Sequence, residues 1–492
     1  MKRSLFVVIT WLMAAASVQS ATVKVQGQTV TVRPDGGEAR IVRLQVVADK
    51  IIRVQATSEE QLPQKQPSLM IVPQTVATPF TTDESGENVV VKTAGVQAVV
   101  NKQTGALLFN DGSGRRLLAE APGGKHFWPF TVPHRELGIK GGAQPTQAMK
   151  HGLQWQMCFD SPDDEAFYGL GQHQSEELNM KGKNEDLFQY NTKVSIPFVL
   201  STKGYGLLWD SYSFGRFGKP DDYLQLNRAF RLYDKRGREG HLTGTYTSHA
   251  KGKEPKTIVR DEDSIYFEYT LPALQQANDR GGIKNLPKGF NLDGANVVYE
   301  GFIEPLTSHT SPLTSHHSPL TSQIHQFILY YAGYVRVFIG GKEVVPQRWR
   351  TAWNPNAYKF DVTLNEGQRT HLRIEWQPDG GESYMGLRVA PPRSRRERGQ
   401  LSIWSEMARD MDYYFIAGPT FDQVIAGYRT LTGKASLYPK WALGFWQSRE
   451  RYKTANELLQ TLAEFRRRHI PIDNIVQDWN YWPEDQWDSH QF

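Results

Sequence analysis

The chain has 492 residues, of which 39% are hydrophobic, 22% charged and 12% aromatic. That length predicts roughly three domains at about 100–200 residues each, and 13 Trp, 21 Tyr and 23 Phe exclude a disordered tail. Cys158 is the sole cysteine, which excludes an intrachain disulfide framework, and a net charge of +5 is too weak for a nucleic-acid footprint. Small uncharged ligands suit this composition better.

Met1–Ser20 opens with Lys2 and Arg3, runs apolar from Leu5 to Ala16, and places Val18 and Ser20 at the −3 and −1 positions of a cut before Ala21. This is the pattern of a signal peptide, so the mature protein is expected in a periplasm or outside the cell. An apolar run of about a dozen residues is short of the ~20 needed to cross a bilayer, and no other run is long enough, so no membrane span is expected. No cysteine stands near the cut, which argues against a lipid anchor.

Residues 21–234 read as short β segments separated by turns, which predicts an antiparallel β-sandwich. Ile41–Val47 and Ile51–Gln55 flank a short break. Val89–Lys92, Val96–Asn101 and Ala106–Phe109 follow, the last running into Asn110-Asp111-Gly112-Ser113-Gly114. Residues 235–392 read as a second, inserted all-β unit. There His371–Trp376 alternates polar and apolar, Val335, Val337 and Ile339 share a face, and Gly340-Gly341 offers a hairpin turn before Lys342–Val345.

The second unit contains a low-complexity stretch over 305–322, in which Pro305–Ser311 is nearly copied by Pro312–Ser318. Its histidines His309, His316 and His317 lie in a Ser/Thr/Pro-rich repeat that offers no fixed geometry, so a metal site is not expected. The basic run Arg393–Arg398 reads as a solvated linker.

Residues 393–439 return to the first sandwich through a β/α stretch, and the pattern changes at Lys440. Ala442–Trp446 reads as a buried strand, and Thr454-Ala455-Asn456-Glu457 has the form of a capping box. Leu458, Leu459, Leu462 and Phe465 recur at helical spacing until Pro471, and Ile475–Trp479 reads as a second strand. A βαβ unit of this kind makes its strands parallel with a right-handed crossover. Two parallel strands and one helix cannot cover both faces of a parallel sheet, so residues 440–492 are read as the opening portion of a larger fold.

Functional groups of parallel α/β folds gather where strands end. Here that singles out Trp446-Gln447-Ser448-Arg449 and Asp478-Trp479-Asn480-Tyr481-Trp482. Five tryptophans (Trp441, Trp446, Trp479, Trp482, Trp487) fall after residue 440. Aromatic faces pack against the C–H faces of sugar rings, while carboxylates accept from ring hydroxyls. Core packing is the competing reading for any one Trp. Asp478, Trp479 and Trp446 are therefore the candidate substrate-binding residues. No GxSxG, P-loop, HExxH or CxxC is present, no cofactor or metal is expected, and Cys158 among apolar neighbours reads as buried rather than nucleophilic.

These stretches resemble retaining α-glycosidases of glycoside hydrolase family 31, and within them bacterial α-xylosidases acting on xyloglucan fragments. The likeness rests on Phe167–His173, Gly204–Asp210, Leu431–Lys434, Tyr438–Ser448, Ile470–Asp473 and Val476–Trp479. Tyr299–Pro305 and Tyr330–Val337 resemble the protective-antigen-type β-sandwich inserted in some of these enzymes, though the Pro-Leu-Thr-Ser-His copies depart from that pattern.

The resemblance implies a multidomain fold: a β-sandwich with an inserted second β-sandwich, followed by the first βαβ unit of an incomplete (β/α)₈ barrel. It implies double displacement by two carboxylates about 5–5.5 Å apart, carried on later barrel strands beyond Phe492, so that residues 1–492 are expected to hold neither. It assigns Asp478 to hydroxyls of the sugar at the cleaved position. Trp479 then stands where a hexose C6 hydroxymethyl would go, favouring a pentose. The substrate implied is a xyloglucan-derived oligosaccharide. A related α-glucosidase, or a carbohydrate-binding protein without catalysis, are the alternatives.

Overall fold

The computed structural model describes residues 21–130, 152–173, 177–189, 193–218, 223–249, 252, 254–266, 287, 290, 294–306, 322–351, 357–378 and 384–486. Residues 1–20, where a signal peptide is expected, most of the repeat with its three histidines, and Trp487 lie outside them.

The first sandwich stacks two antiparallel sheets. The eight-stranded sheet runs Thr22–Gln26, Thr29–Arg33, Ile41–Ala48, Ile51–Thr57, Met411–Ala417, Tyr205–Trp209, Val194–Ser201, Phe167–Gln172. The nine-stranded sheet runs Glu185–Leu187, Gly215–Phe217, Leu401–Ala408, Leu153–Asp160, Arg116–Pro129, Leu107–Asp111, Val96–Asn101, Asn88–Lys92, Thr81–Asp83. Alternation explains why these segments are strands: in Val96–Asn101 the residues Val96, Ala98 and Val100 are buried and those between face outward. The inward rows of the two sheets meet at Phe109 and Phe415, whose rings stack with centroids 4.1 Å apart.

The outer face of the eight-stranded sheet is divided. Ile51, Ile416 and Phe198 are covered by the helix Phe421–Thr432 through Val424 and Leu431, with Phe198 stacked on Tyr428 at 4.4 Å. Beside them the face turns polar. Asp412, 1% exposed, accepts from Arg53 Nε (2.9 Å) and Nη2 (2.7 Å), from Gln55 (3.2 Å) and from Lys65 (2.7 Å). Lys65 also reaches Asp410 at 2.6 Å. Burial, more than the neighbouring Asp412 charge, pushes the Asp410 carboxyl above its ordinary value.

The second sandwich is inserted between Gly215–Phe217 and Leu401–Ala408, which pair with each other in the first. One sheet orders Leu224–Gln225, Met385–Val389, Ser322–Tyr331, Tyr358–Asn365. The other orders Lys256–Glu262, Leu242–Ser248, Asn296–Pro305, Thr370–Gln377, Gly333–Ile339, Lys342–Arg350. Val335, Val337 and Ile339 are buried as expected. Gly340 (φ 61°) and Gly341 (φ 74°) form the hairpin turn, both in the left-handed conformation that glycine adopts without strain.

Three expectations are corrected. The insert begins near Leu224 rather than at 235, because Phe230–Tyr233 pairs with Asn296–Pro305 and Phe230 stacks on Phe327 at 5.9 Å inside the second core. The basic run is not a bare linker: Ser394 and Glu397 close a capping box on a short helix Arg395–Gly399, and Arg396 and Arg398 pair with Asp160 and Asp361. Cys158 is half-buried rather than buried, its sulfur 3.5 Å from Ser402 Oγ.

Residues 432–492 form a separate compact unit. It holds the strand Trp446–Glu450, the helix Ala455–Arg467 and the strand Asn474–Asp478, the two strands parallel in one sheet, so the βαβ reading holds. The first strand lies four residues later than expected. Lys440–Leu443 is a 3₁₀ turn entered from Pro439, and Gly444 follows it in extended conformation.

Candidate functional site

Strand register decides which side chains can share a site. Trp446 pairs with Asn474 at the start of the two strands, and Glu450 pairs with Asp478 at their end. The exit of the first strand is therefore Glu450-Arg451-Tyr452, not Trp446–Arg449. Four residue steps at about 3.3 Å each put Trp446 some 13 Å from the Asp478 end. The structure thus does not bring Trp446 together with Asp478 and Trp479. Its ring stacks on Trp441 at 6.1 Å and its Nε1 donates to Ala442 O at 3.2 Å, closing the 3₁₀ turn.

The start of the strand pair is held by Asp473. Its Oδ2 accepts from Phe445 N at 2.8 Å, while Asp473 N and Asn474 N donate to Phe445 O at 3.0 and 3.1 Å. A Cβ on Gly444 would lie 2.0 Å from that carboxylate oxygen, so only glycine fits beside it. The Ile470–Asp473 stretch therefore supports the strand entrance and does not touch the opposite end.

At the other end Asp478 is exposed and closes its strand. The chain then turns through Trp479 (φ 54°) and Asn480 (φ 47°), two consecutive left-handed residues. Each costs about 1–2 kcal/mol outside glycine, so the turn needs outside support. Arg451 supplies part of it, its Nη1 donating to Asn480 O at 3.1 Å. Tyr452, 2% exposed, ties the two exits together: its carbonyl accepts from Gln477 Nε2 at 3.1 Å and its hydroxyl lies 3.4 Å from Gln447 Nε2. Arg449 lies over the Tyr452 ring at 5.2 Å and pairs with Glu457 at 3.4 Å.

Trp479 remains 41% exposed and meets Trp482 edge-on at 5.7 Å, with Tyr481 against Trp482 at 5.4 Å. A carboxylate beside an exposed indole at a strand exit can bind a sugar by hydroxyl and ring face. Glu450 and Arg451 were missed in the sequence because they follow from the strand's true end. Among the described residues no cluster of three or more His, Cys, Asp or Glu could hold a metal.

Comparisons with known proteins fit this division. The model of the glycosyl hydrolase 31 N-terminal galactose mutarotase-like domain matches residues 41–217, ending where the chain leaves the first sandwich. The model of the glycosyl hydrolases family 31 TIM-barrel domain matches residues 435–492. An α-xylosidase of Saccharolobus solfataricus is 50% identical over 95 residues, 19% of this chain and 13% of that protein. α-Glucosidase 2 of Bacillus thermoamyloliquefaciens is 45% identical over 71 residues, 14% of this chain and 9% of that protein. A crystal structure of a family 31 α-xylosidase from Xanthomonas citri superposes with a TM-score of 0.77 at 39% identity, over 96% of this chain and 47% of that one. The chain thus spans about half the length of that enzyme. The two matched models are both of glycoside hydrolase family 31 domains, and they lie on either side of the inserted sandwich.

Proposed function

We propose that this chain is the N-terminal part of an exported α-xylosidase that removes terminal α-xylosyl residues from xyloglucan oligosaccharides by retaining double displacement. The observation that carries the reading is the likeness to the Xanthomonas citri α-xylosidase over 96% of the chain, inserted sandwich included. In this proposal Asp478 accepts hydroxyls of the sugar at the cleaved position, and the Trp479 ring occupies the space of a C6 hydroxymethyl. The nucleophile and acid/base are assigned to barrel strands following Phe492. The second sandwich is assigned to the protective-antigen type. Export rests on the Met1–Ser20 pattern, and N-terminal sequencing of the mature protein should begin at Ala21.

An α-glucosidase is the second reading, favoured by the 45% identity to α-glucosidase 2 over 71 residues. The test joins this chain to the barrel half of the Xanthomonas citri enzyme and follows isoprimeverose cleavage by proton NMR. Release of xylose first as the α-anomer supports the proposal. Release of the β-anomer, or turnover of maltose but not isoprimeverose, overturns it. A joined protein that folds and binds xyloglucan fragments without cleaving them would instead favour a carbohydrate-binding role.

A further inference from the structure

The inserted sandwich joins the first one through two chain crossings, around Tyr223 and around Ser394–Gln400. Two crossings define an axis, and relative motion is the default for units joined in this way. The crossings themselves make polar contacts: Tyr223 OH donates to Gln326 Oε1 at 2.6 Å, Arg398 pairs with Asp361, and Arg396 pairs with Asp160. Contacts that travel with the linkers cannot by themselves stop rotation about the axis. A contact between residues of neither crossing can.

Lys359 makes one. It lies on Tyr358–Asn365, the edge strand of the insert's five-stranded sheet, where Phe360 points inward onto Phe327 at 5.4 Å. Alternation then turns Lys359 and Asp361 to the outer face, beside Gln326 of the next strand, which is in register with Asp361. Lys359 Nζ donates to the backbone carbonyl of Asn184 at 2.6 Å, across 175 residues of sequence.

Asn184 directly precedes Glu185–Leu187, the edge strand of the first sandwich's nine-stranded sheet. That strand is held rigidly from its own side. Glu185, 6% exposed, lies 3.3 Å from His173 Nδ1 and 3.5 Å from Lys193 Nζ, and Asp186 pairs with Arg216 of the neighbouring strand. Burial alone would raise both carboxyls. The His173 ring 3.3 Å away and the Lys359 and Lys193 charges outweigh it at Glu185, and the Lys359 and Arg216 charges do so at Asp186, so both are held below their ordinary values. Between the two edges lies a small cavity of about 20 Å³, where Lys183, Glu185, Lys359 and Asp361 meet the apolar side chains of Met180 and Phe360.

We propose that Lys359 is a latch that locks the inserted sandwich against the first, so that the two move as one body and its removal turns the joint into a hinge. The test uses the full chain with Lys359→Met, which keeps the length of the side chain and removes its donor and charge. Hydrogen exchange at 184–187 and at 358–361 should speed up about tenfold. Calorimetry should resolve two transitions for the sandwiches where the parent chain shows one. Lys359→Arg, which keeps a charged donor, should restore most of the protection, and Lys342→Met on the exposed far hairpin should change neither readout. Parent-like exchange and a single transition in Lys359→Met overturn the proposal. So does a parent chain whose sandwiches already melt separately. If the Met variant does not fold, the Arg variant decides: parent-like exchange supports the latch, and fast exchange sinks it.

Discussion

Replacing Asp412 by Ala tests the account of the first sandwich most sharply. The side chain is 1% exposed and accepts three charge-assisted hydrogen bonds, two from Arg53 and one from Lys65, with a fourth from Gln55. Removing one partner of a fully buried ion pair costs about 3–5 kcal/mol, because the other charge is stranded. Here Arg53 and Lys65 are 21% and 31% exposed, so water recovers part of that loss, and Lys65 keeps Asp410 at 2.6 Å. The expected cost is about 2–4 kcal/mol. In a sandwich of this size that lowers the melting temperature by roughly 5–12 °C. Asp410→Asn is the control: burial already disfavours its charge, so the cost should stay near 1 kcal/mol or below. The assay is thermal unfolding, with hydrogen exchange at Ile51–Thr57 and Met411–Ala417 to locate the loss. A loss below about 1 kcal/mol for Asp412→Ala, or equal losses for both variants, would refute the reasoning.

Two further outcomes are expected. Hydrogen bonds from Ser113 and then Arg115 hold the Asp111 carboxyl down at about 2, so the stability it lends the turn is present above its ordinary value of 3.8 and lost as the pH falls toward 2; carboxyl NMR giving a midpoint near 4 would contradict this. Thr454→Ala removes the side chain that caps Glu457 N at 3.1 Å, which should cost about 1 kcal/mol and speed amide exchange across Ala455–Arg467; unchanged exchange would show that the cap contributes nothing.

What could be read in the sequence tracks how local each determinant is. Val96–Asn101 matches its strand residue for residue because one buried row alternating with one half-exposed row leaves a single register. The helix over Ala455–Arg467 was legible from Thr454 and the spacing of Leu458, Leu462 and Phe465. Its box is only half closed, since the Glu457 carboxylate accepts from Lys453 N rather than from Thr454 N. Ala442–Trp446 was misread because a short apolar run carries no period that separates a strand from a tight turn. The turn is fixed by Asp473, about thirty residues on, whose carboxylate leaves no room for a side chain at 444. That shift of four residues carried Trp446 to the wrong end of the sheet and hid Glu450 and Arg451. The start of the insert was misplaced for a similar reason, since Phe230–Tyr233 finds its partner strand some seventy residues later. The joint at Lys359 and Asn184 had no sequence signal, because it pairs a side chain with a distant backbone carbonyl.

The most direct test of the functional account is the ratio of kcat/KM for an aryl α-xyloside over the matching α-glucoside, measured on the chain joined to the Xanthomonas citri barrel half and on its Trp479→Ala form. A ring that fills the space of a hydroxymethyl group is worth about 1–3 kcal/mol of discrimination. The ratio is therefore expected to favour the xyloside in the parent and to fall at least tenfold in the variant. An unchanged ratio, or a parent that prefers the glucoside, would contradict the assignment of the Asp478–Trp479 strand end to a pentose.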